Sequence, residues 1–103
     1  MREKLDSPKE GSCEYFLRSY LQGFEATFKK ESFKIDEESF DCSFFLSDSQ
    51  IVIEIREKDL TLKVNIFSGI VCEVEGENPP FGEAQRIFNQ IFAKIKSRVS
   101  KNG

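Results

Sequence analysis

Cysteine thiols and carboxylates are the reactive side chains of this chain, because its 103 residues include three cysteines and 18 acidic residues but no histidine. Without an imidazole, neither a serine nor a cysteine nucleophile can be activated by the usual histidine base. Cys13, Cys42 and Cys72 are too widely spaced to form the clustered ligand set that a structural zinc requires. The sequence therefore predicts neither a histidine-activated nucleophile nor a structural zinc site.

Acid–base catalysis by carboxylates is the remaining chemistry. Strand periodicity places Glu54 and Glu75 on either side of Thr61, and Glu73 opposite Lys63, on the outer face of a predicted sheet. An open, solvated sheet does not raise the pKa of a carboxylate and gives it no pocket. No glycine-rich phosphate loop is present. We therefore expect a protein that is not an enzyme and that binds no cofactor.

Composition and charge restrict the class of partner. The net charge is −3 and the pI is about 5.1, whereas nucleic-acid-binding proteins need a clustered basic surface. No apolar segment approaches the roughly 18 residues that cross a bilayer, and the first residues lack the apolar region of a signal peptide. We expect an intracellular, cytoplasmic or nuclear protein with protein partners and without contact to nucleic acid or membrane.

Two amphipathic helices are predicted near the ends of the chain. Apolar residues at i, i+3, i+4 and i+7 are typical of a helix with one buried face. In the first helix they are Cys13, Phe16, Leu17, Tyr20, Leu21, Phe24 and Phe28. This helix begins either at a capping box over Ser7-Pro8-Lys9-Glu10 or after Gly11-Ser12. The second helix follows Asn78-Pro79-Pro80 and buries Ala84, Ile87, Phe88, Ile91, Phe92, Ile95 and Val99.

Four strands are predicted between the helices, because apolar residues there alternate with polar ones. Their inward residues are Phe40, Cys42, Phe44 and Leu46; Ile51, Ile53 and Ile55; Leu60, Leu62, Val64 and Ile66; and Ile70, Cys72 and Val74. The predicted fold is α+β, a two-layer α-β-β-β-β-α domain in which both helices pack on one face of a four-stranded antiparallel meander. It spans residues 1–103, with an ordered core over about 8–99, an acidic connection over 31–39 in which Phe33 and Ile35 favour a short strand, and a frayed tail over 100–103.

The adjacent phenylalanines Phe44 and Phe45 must point to opposite faces of the sheet. Pairing Phe45 with Val52, Val52 with Lys63, and Asn65 with Val71 groups the outward apolar side chains near one end of the outer face. The predicted partner-binding residues are Phe45, Val52, Lys63, Asn65, Phe67 and Val71. Two alternatives remain open: residues 31–39 cover this cluster, or it consists of ordinary exposed pairs.

The same register predicts that all three cysteines are reduced core residues. Cys42 and Cys72 point inward from strands about 14 Å apart, which exceeds the span of a disulfide. Cys13 lies on the buried stripe of the first helix. The chain also has two clusters of charge. The basic cluster, Lys94, Lys96, Arg98 and Lys101, either contacts an acidic partner or is a helix C-terminus that complements its dipole. The acidic cluster, Asp36-Glu37-Glu38 with Asp41, either contacts a basic partner or is a solvated loop.

The order of helix, four-stranded meander, proline-bearing segment and helix resembles that of the RWD family over about residues 12–99. Asn78-Pro79-Pro80-Phe81 stands where that family carries Tyr-Pro-x-x-x-Pro, with a different spacing and no tyrosine. The resemblance implies a protein–protein docking module. In outline the chain also resembles ubiquitin-conjugating enzymes, but it lacks the histidine of their His-Pro-Asn element. It is similar as well to class I type III secretion chaperones, which are small acidic dimers, although those insert a helix within the sheet.

These observations favour a non-enzymatic interaction module, an adaptor or scaffold component that self-associates through the outer sheet face. One alternative is a type III secretion-type chaperone that binds an unfolded partner segment. Another is a small-ligand-binding or enzymatic domain with a pocket between helices and sheet, near Tyr15, Tyr20 and Phe81.

Overall fold

A computed structural model describes residues 11–21, 27–76 and 81–102. In these parts of the chain, one α-helix precedes and one follows, in sequence, an antiparallel sheet of five strands in the order β1-β2-β3-β4-β5. The helices are α1 (Cys13–Tyr20) and α2 (Phe81–Asn102). The strands are β1 (Phe28–Ile35), β2 (Glu38–Leu46), β3 (Gln50–Ile55), β4 (Leu60–Asn65) and β5 (Val71–Gly76), and one 3₁₀ turn, Arg56–Lys58, joins β3 to β4.

The α+β class and the meander flanked by helices are confirmed, but the sheet has five strands and not four. The additional strand, β1, occupies most of the predicted acidic connection over 31–39. Phe33 and Ile35 alternate with exposed residues and lie in the core. The turn to β2 is tight because Asp36 and Glu37 both adopt positive φ, at 54° and 71°, as a type I′ hairpin requires.

Helix α1 is shorter than predicted. It ends at Tyr20, and Phe28, predicted on its apolar stripe, lies on β1 instead; Phe24 is outside the described residues. The helix begins after Ser12, whose Oγ accepts a hydrogen bond from the N–H of Tyr15 at 3.1 Å. The other predicted start, Ser7 to Glu10, also lies outside the described residues. At the far end of the chain, the predicted frayed tail is helical as far as Asn102.

The core lies between the inner face of the sheet and the two helices. Tyr20 of α1, Phe33 of β1 and Phe44 of β2 form a group of edge-to-face rings with centroids 5.4 to 6.0 Å apart. Phe88 of α2 is buried and stacks on Phe92 at 5.5 Å. Both helices thus cover the same face of the sheet, as the binary pattern predicts.

Two of the three predicted hairpin registers are confirmed. Phe45 pairs with Val52, and Val52 pairs with Lys63. The third register is wrong: Val71 pairs with Val64 instead of Asn65, and a bulge at Cys72 restores the predicted pairing of Lys63 with Glu73. As a result Val71 is buried, at 6% exposure. Residues 70 and 72, predicted to be inward, are both exposed.

Candidate interaction surface

The outer face of the sheet carries one apolar group, formed by Phe28, Phe45 and Val52, which we call the outer strip. These residues lie directly opposite one another on β1, β2 and β3, and the same row continues through Lys63 to Glu73. The neighbouring row is polar, and consists of Lys30, Ser43, Glu54, Thr61 and Glu75. Phe44 therefore belongs to the core, and Phe45 belongs to a separate apolar group on the opposite face.

The two phenylalanines of the outer strip contact each other and remain accessible. Their ring centroids are 4.9 Å apart, and Phe28 is 49% and Phe45 39% exposed. The N–H of Leu46 donates to the carbonyl of Thr27, its opposite residue, at 2.8 Å. Hydrogen-bonded and non-hydrogen-bonded pairs alternate along antiparallel strands, so Phe28 and Phe45 form a non-hydrogen-bonded pair. The two side chains of such a pair lie closer together than those of a hydrogen-bonded pair.

Lys63 continues the outer strip toward β5 and has acidic partners there. Its Nζ lies 3.0 Å from a carboxylate oxygen of Glu75 and 3.6 Å from one of Glu73. The hydrogen bond to Glu75 raises the pKa of Lys63 and lowers the pKa of Glu75. Glu54 and Glu75 flank Thr61 as predicted, on an open and solvated face.

The remaining predicted partner-binding residues have other surroundings. Val71 is buried and is not part of the outer face. The side-chain oxygen of Asn65 accepts hydrogen bonds from the N–H groups of Phe67 and Ser68, both at 2.9 Å, so it stabilises the turn after β4. Phe67 is 58% exposed but belongs to that turn and not to a strand.

The alternative that residues 31–39 cover the outward cluster is wrong, because Phe33 and Ile35 lie in the main core on the inner face. Phe28 is the residue that the sequence analysis missed. Its separation from Phe24 and Tyr20 fits the helical period, which hid the shorter strand pattern of residues 28–35.

An open groove of about 610 Å³ lies between the β3–β4 connection, the start of β2 and the first turns of α2. Its lining residues are Glu38, Phe40, Glu57, Lys58, Asp59, Leu60, Glu83 and Ile87. Lys58 covers the ring of Phe40, with Nζ 5.0 Å from the centroid. This groove is not at the predicted place near Tyr15, Tyr20 and Phe81. Among the described residues no three histidine, cysteine, aspartate or glutamate side chains are grouped as metal ligands would be.

The cysteines differ from one another in burial. Cys42 is a core residue, as predicted, and burial raises the pKa of its thiol to about 12. Cys13 is half-buried, and burial raises its pKa as well. Cys72, predicted in the core, is exposed because it is the bulged residue of β5. Burial favours the thiol over the thiolate, which is the reactive form.

Two of the predicted charged residues form contacts within the chain. Arg98 pairs with Glu31, to which the Tyr20 hydroxyl also donates, and its guanidinium lies 4.6 Å from the ring centroid of Phe33. Asp36 accepts a hydrogen bond of 2.6 Å from Arg86 of α2, which lowers the pKa of that carboxyl. These pairs attach α2 to β1 and to the β1–β2 turn.

Comparison with protein-family models, with curated proteins and with solved structures found no match for this chain. Within the described parts of the chain, neither helix has the length and apolar character needed to cross a membrane.

Proposed function

We propose that this protein is a non-enzymatic protein–protein interaction module, an adaptor or scaffold component, that self-associates through the outer face of its sheet. The observation that supports this proposal is the outer strip. Phe28, Phe45 and Val52 form one contiguous apolar row on a face whose neighbouring row is polar. Aromatic residues, phenylalanine included, are enriched in protein interfaces relative to the rest of the surface.

The occupant we propose is a second copy of the chain. Five strands spaced about 4.8 Å apart and about six residues long present a face of about 500 Å². Two such faces would bury about 1,000 Å² in total, which is near the lower limit of specific interfaces. The expected dimer is therefore weak and depends on protein concentration.

Lys63 is suited to the edge of such an interface. Its ammonium group is paired with Glu73 and Glu75 of the same chain, so covering Lys63 would not leave a lysine without a partner. In the proposed dimer, the outer strip provides the apolar centre and Lys63 provides the polar border. Val71 is excluded from this surface because it is buried, and the oxygen of Asn65 is already used by the turn.

An RWD-like assignment remains a proposal based on element order, and the fifth strand departs from the four-stranded order of that resemblance. For the secretion-type chaperone we find no specific support, because the described residues between β2 and β5 contain only the 3₁₀ turn Arg56–Lys58 and no inserted α-helix. The groove beside α2 is lined by carboxylates and by Lys58 but is open, and no further observation in the described residues favours ligand binding or catalysis there.

The test is sedimentation equilibrium of the parent protein and of Phe45→Ser over a wide concentration range. We expect the parent to form a dimer and Phe45→Ser to remain a folded monomer at the same concentrations. Phe67→Ser is the matched control, since it removes an exposed phenylalanine outside the outer strip. It should dimerise like the parent.

Equal association of all three proteins would contradict the proposed surface. A monomeric parent at every concentration would contradict self-association itself.

A further inference from the structure

The exposed edge of β1 is a second surface of the sheet: its backbone groups lie beyond the outer face, although the side chains beside them, including Phe28, belong to that face. We infer that this edge binds an extended acidic segment of a protein partner, which pairs with β1 as a sixth strand. This inference deepens the proposed function and rests on its premise that the protein is an interaction module. Strand addition to an exposed sheet edge is a common mode of peptide recognition.

Along β1, residues that hydrogen-bond to β2 alternate with residues that do not, and this alternation shows which backbone groups face the edge. Thr27 and Leu46 form a hydrogen-bonded pair, so the odd-numbered residues of β1 bond to β2 and the even-numbered residues do not. The N–H and C=O groups of Phe28, Lys30, Ser32 and Lys34 therefore point away from β2. Within the described residues, no hydrogen bond engages these groups.

The burial pattern of β1 places the side chains of these residues on the outer face of the sheet. Phe28, Lys30, Ser32 and Lys34 alternate there with the inward residues of β1. Ser43 and Ser39 of β2 lie directly opposite the two lysines. The carboxylate between them on that face, Asp41, lies opposite Ser32 and accepts a hydrogen bond of 2.7 Å from its hydroxyl. Among the described residues, neither Lys30 nor Lys34 forms an ion pair.

The inward charges at this edge already have partners. The Nζ of Lys29 donates a hydrogen bond of 3.2 Å to the backbone carbonyl of Tyr20 and lies 4.1 Å from the centroid of the Tyr20 ring. Glu31 is paired with Arg98 of α2. The charge that β1 offers to an added strand is therefore the pair of outward lysines.

Charge complementarity favours an acidic strand over a second copy of β1. Edge-to-edge pairing of two copies would place four lysines on one face of a short pair of strands, and such lysines are a common protection against edge association. An acidic segment would instead place one carboxylate opposite each lysine. In the antiparallel direction, the expected partner pattern is acidic, any, polar, any, acidic, any, apolar, with the apolar residue beside Phe28.

The probe is a synthetic peptide of this pattern, labelled with a fluorophore, with glutamate at both acidic positions and leucine at the apolar one. Its binding to the full chain is measured by fluorescence anisotropy. The matched control peptide carries lysine in place of both glutamates. We expect binding of the acidic peptide, and weakening by about tenfold for Lys30→Glu with Lys34→Glu, because two favourable cross-strand charge pairs become repulsive. Lys94→Glu, a charge change on α2, should leave the affinity unchanged.

Backbone pairing is tested by two substitutions at one position. Ser32→Pro removes the edge-facing N–H without breaking a bond to β2 and should abolish binding. Ser32→Ala keeps that N–H and loses only the side-chain hydrogen bond to Asp41, so it should bind the peptide like the parent. Hydrogen exchange of the free protein should be fast at the amides of Lys30, Ser32 and Lys34, and the acidic peptide should slow it.

Three results would overturn the inference. The first is equal binding of the acidic and lysine peptides, or no binding of either. The second is slow exchange of the three edge amides without peptide, which would mean that the edge is already covered. The third is loss of the dimer in Ser32→Pro but not in Phe45→Ser, which would assign the edge to a second copy. Loss of dimerisation in Phe45→Ser with peptide binding retained would leave both proposals standing independently.

Discussion

At the scale of single residues, backbone conformation decides where the chain can turn. Gly76 has φ of +102° at the end of β5, opposite Leu60. A Cβ atom built there would lie 2.0 Å from the carbonyl oxygen of Asp59. Gly11 has φ of +89°, yet a Cβ atom there would meet no atom of the described residues within 4 Å. A side chain at Gly11 would therefore meet only the cost of a left-handed backbone, whereas one at Gly76 would add a steric clash.

Alanine at these two positions measures that difference. We expect Gly11→Ala to lower the free energy of unfolding by about 1 kcal/mol, the cost of a left-handed conformation for a residue with a Cβ atom. Gly76→Ala should lower it by about 3 kcal/mol or more, because the contact is with backbone that cannot move aside. Urea denaturation of both variants makes the comparison. Equal losses would mean that Asp59 is not close to Gly76 in solution.

Tyr20 gives a second prediction at this scale. Burial raises its pKa from 10.0 to about 12, although Arg98 opposes the shift. Because the folded-state pKa is the higher one, its contribution to stability is complete below pH 10 and is lost as the pH rises toward 12. Titration of the tyrosinate absorbance should show a group with a pKa of about 12 that is absent from Tyr20→Phe. The two proteins should also differ in how steeply stability falls over this range. A parent and a variant with the same high-pH titration would contradict the prediction.

At the scale of elements, a single side chain of α2 determines the conformation of the β4–β5 connection. The Gln85 amide accepts a hydrogen bond from the N–H of Val71 at 2.9 Å and donates one to the carbonyl of Gly69 at 3.0 Å. It thus satisfies two backbone groups of the connection that precedes the bulge, as a neighbouring strand would. This contact explains why Val71 points inward.

Gln85→Ala should therefore destabilise the protein more than an ordinary surface substitution. Two partly buried backbone groups would lose their partner, at a cost of about 1 to 3 kcal/mol. Asn89→Ala is the control. Asn89 is exposed, and within the described residues its side chain bonds only to that of Gln85, so its effect should be within about 0.5 kcal/mol. Chemical denaturation gives both free energies of unfolding. Similar small losses for both variants would show that the bulge does not depend on Gln85.

At the scale of the whole molecule, the sheet separates two neighbouring phenylalanines into two environments. Phe44 is fully buried and contacts the rings of Tyr20 and Phe33. Phe45 is exposed and contacts Phe28. Folding therefore depends on the inner face, and the proposed association depends on the outer face.

Phe44→Ala and Phe45→Ala test this division. We expect Phe44→Ala to cost about 3 to 5 kcal/mol through the cavity it creates. That is a large part of the 5 to 15 kcal/mol typical of a domain. Phe45→Ala should cost about 1 kcal/mol, the worth of one exposed aromatic pair. Thermal and urea unfolding of both variants is measured at a low protein concentration, so that the stabilities of monomers are compared. A large loss in Phe45→Ala would mean that the outer strip is part of the core.

The sequence alone determined the fold class, the second helix and the registers of the β2–β3 and β3–β4 hairpins, because hydrophobic periods and turn residues are local signals. It did not determine β1, since Tyr20, Phe24 and Phe28 fit a helical period while residues 28–35 also fit a strand. Only packing decides between them: as a strand, β1 buries Phe33 and Ile35 against the core. Nor did the sequence determine β5, where the Gln85 amide of α2 binds the backbone beside the bulge and turns Val71 inward. That contact joins residues distant in the sequence, so no local pattern of the strand could predict it.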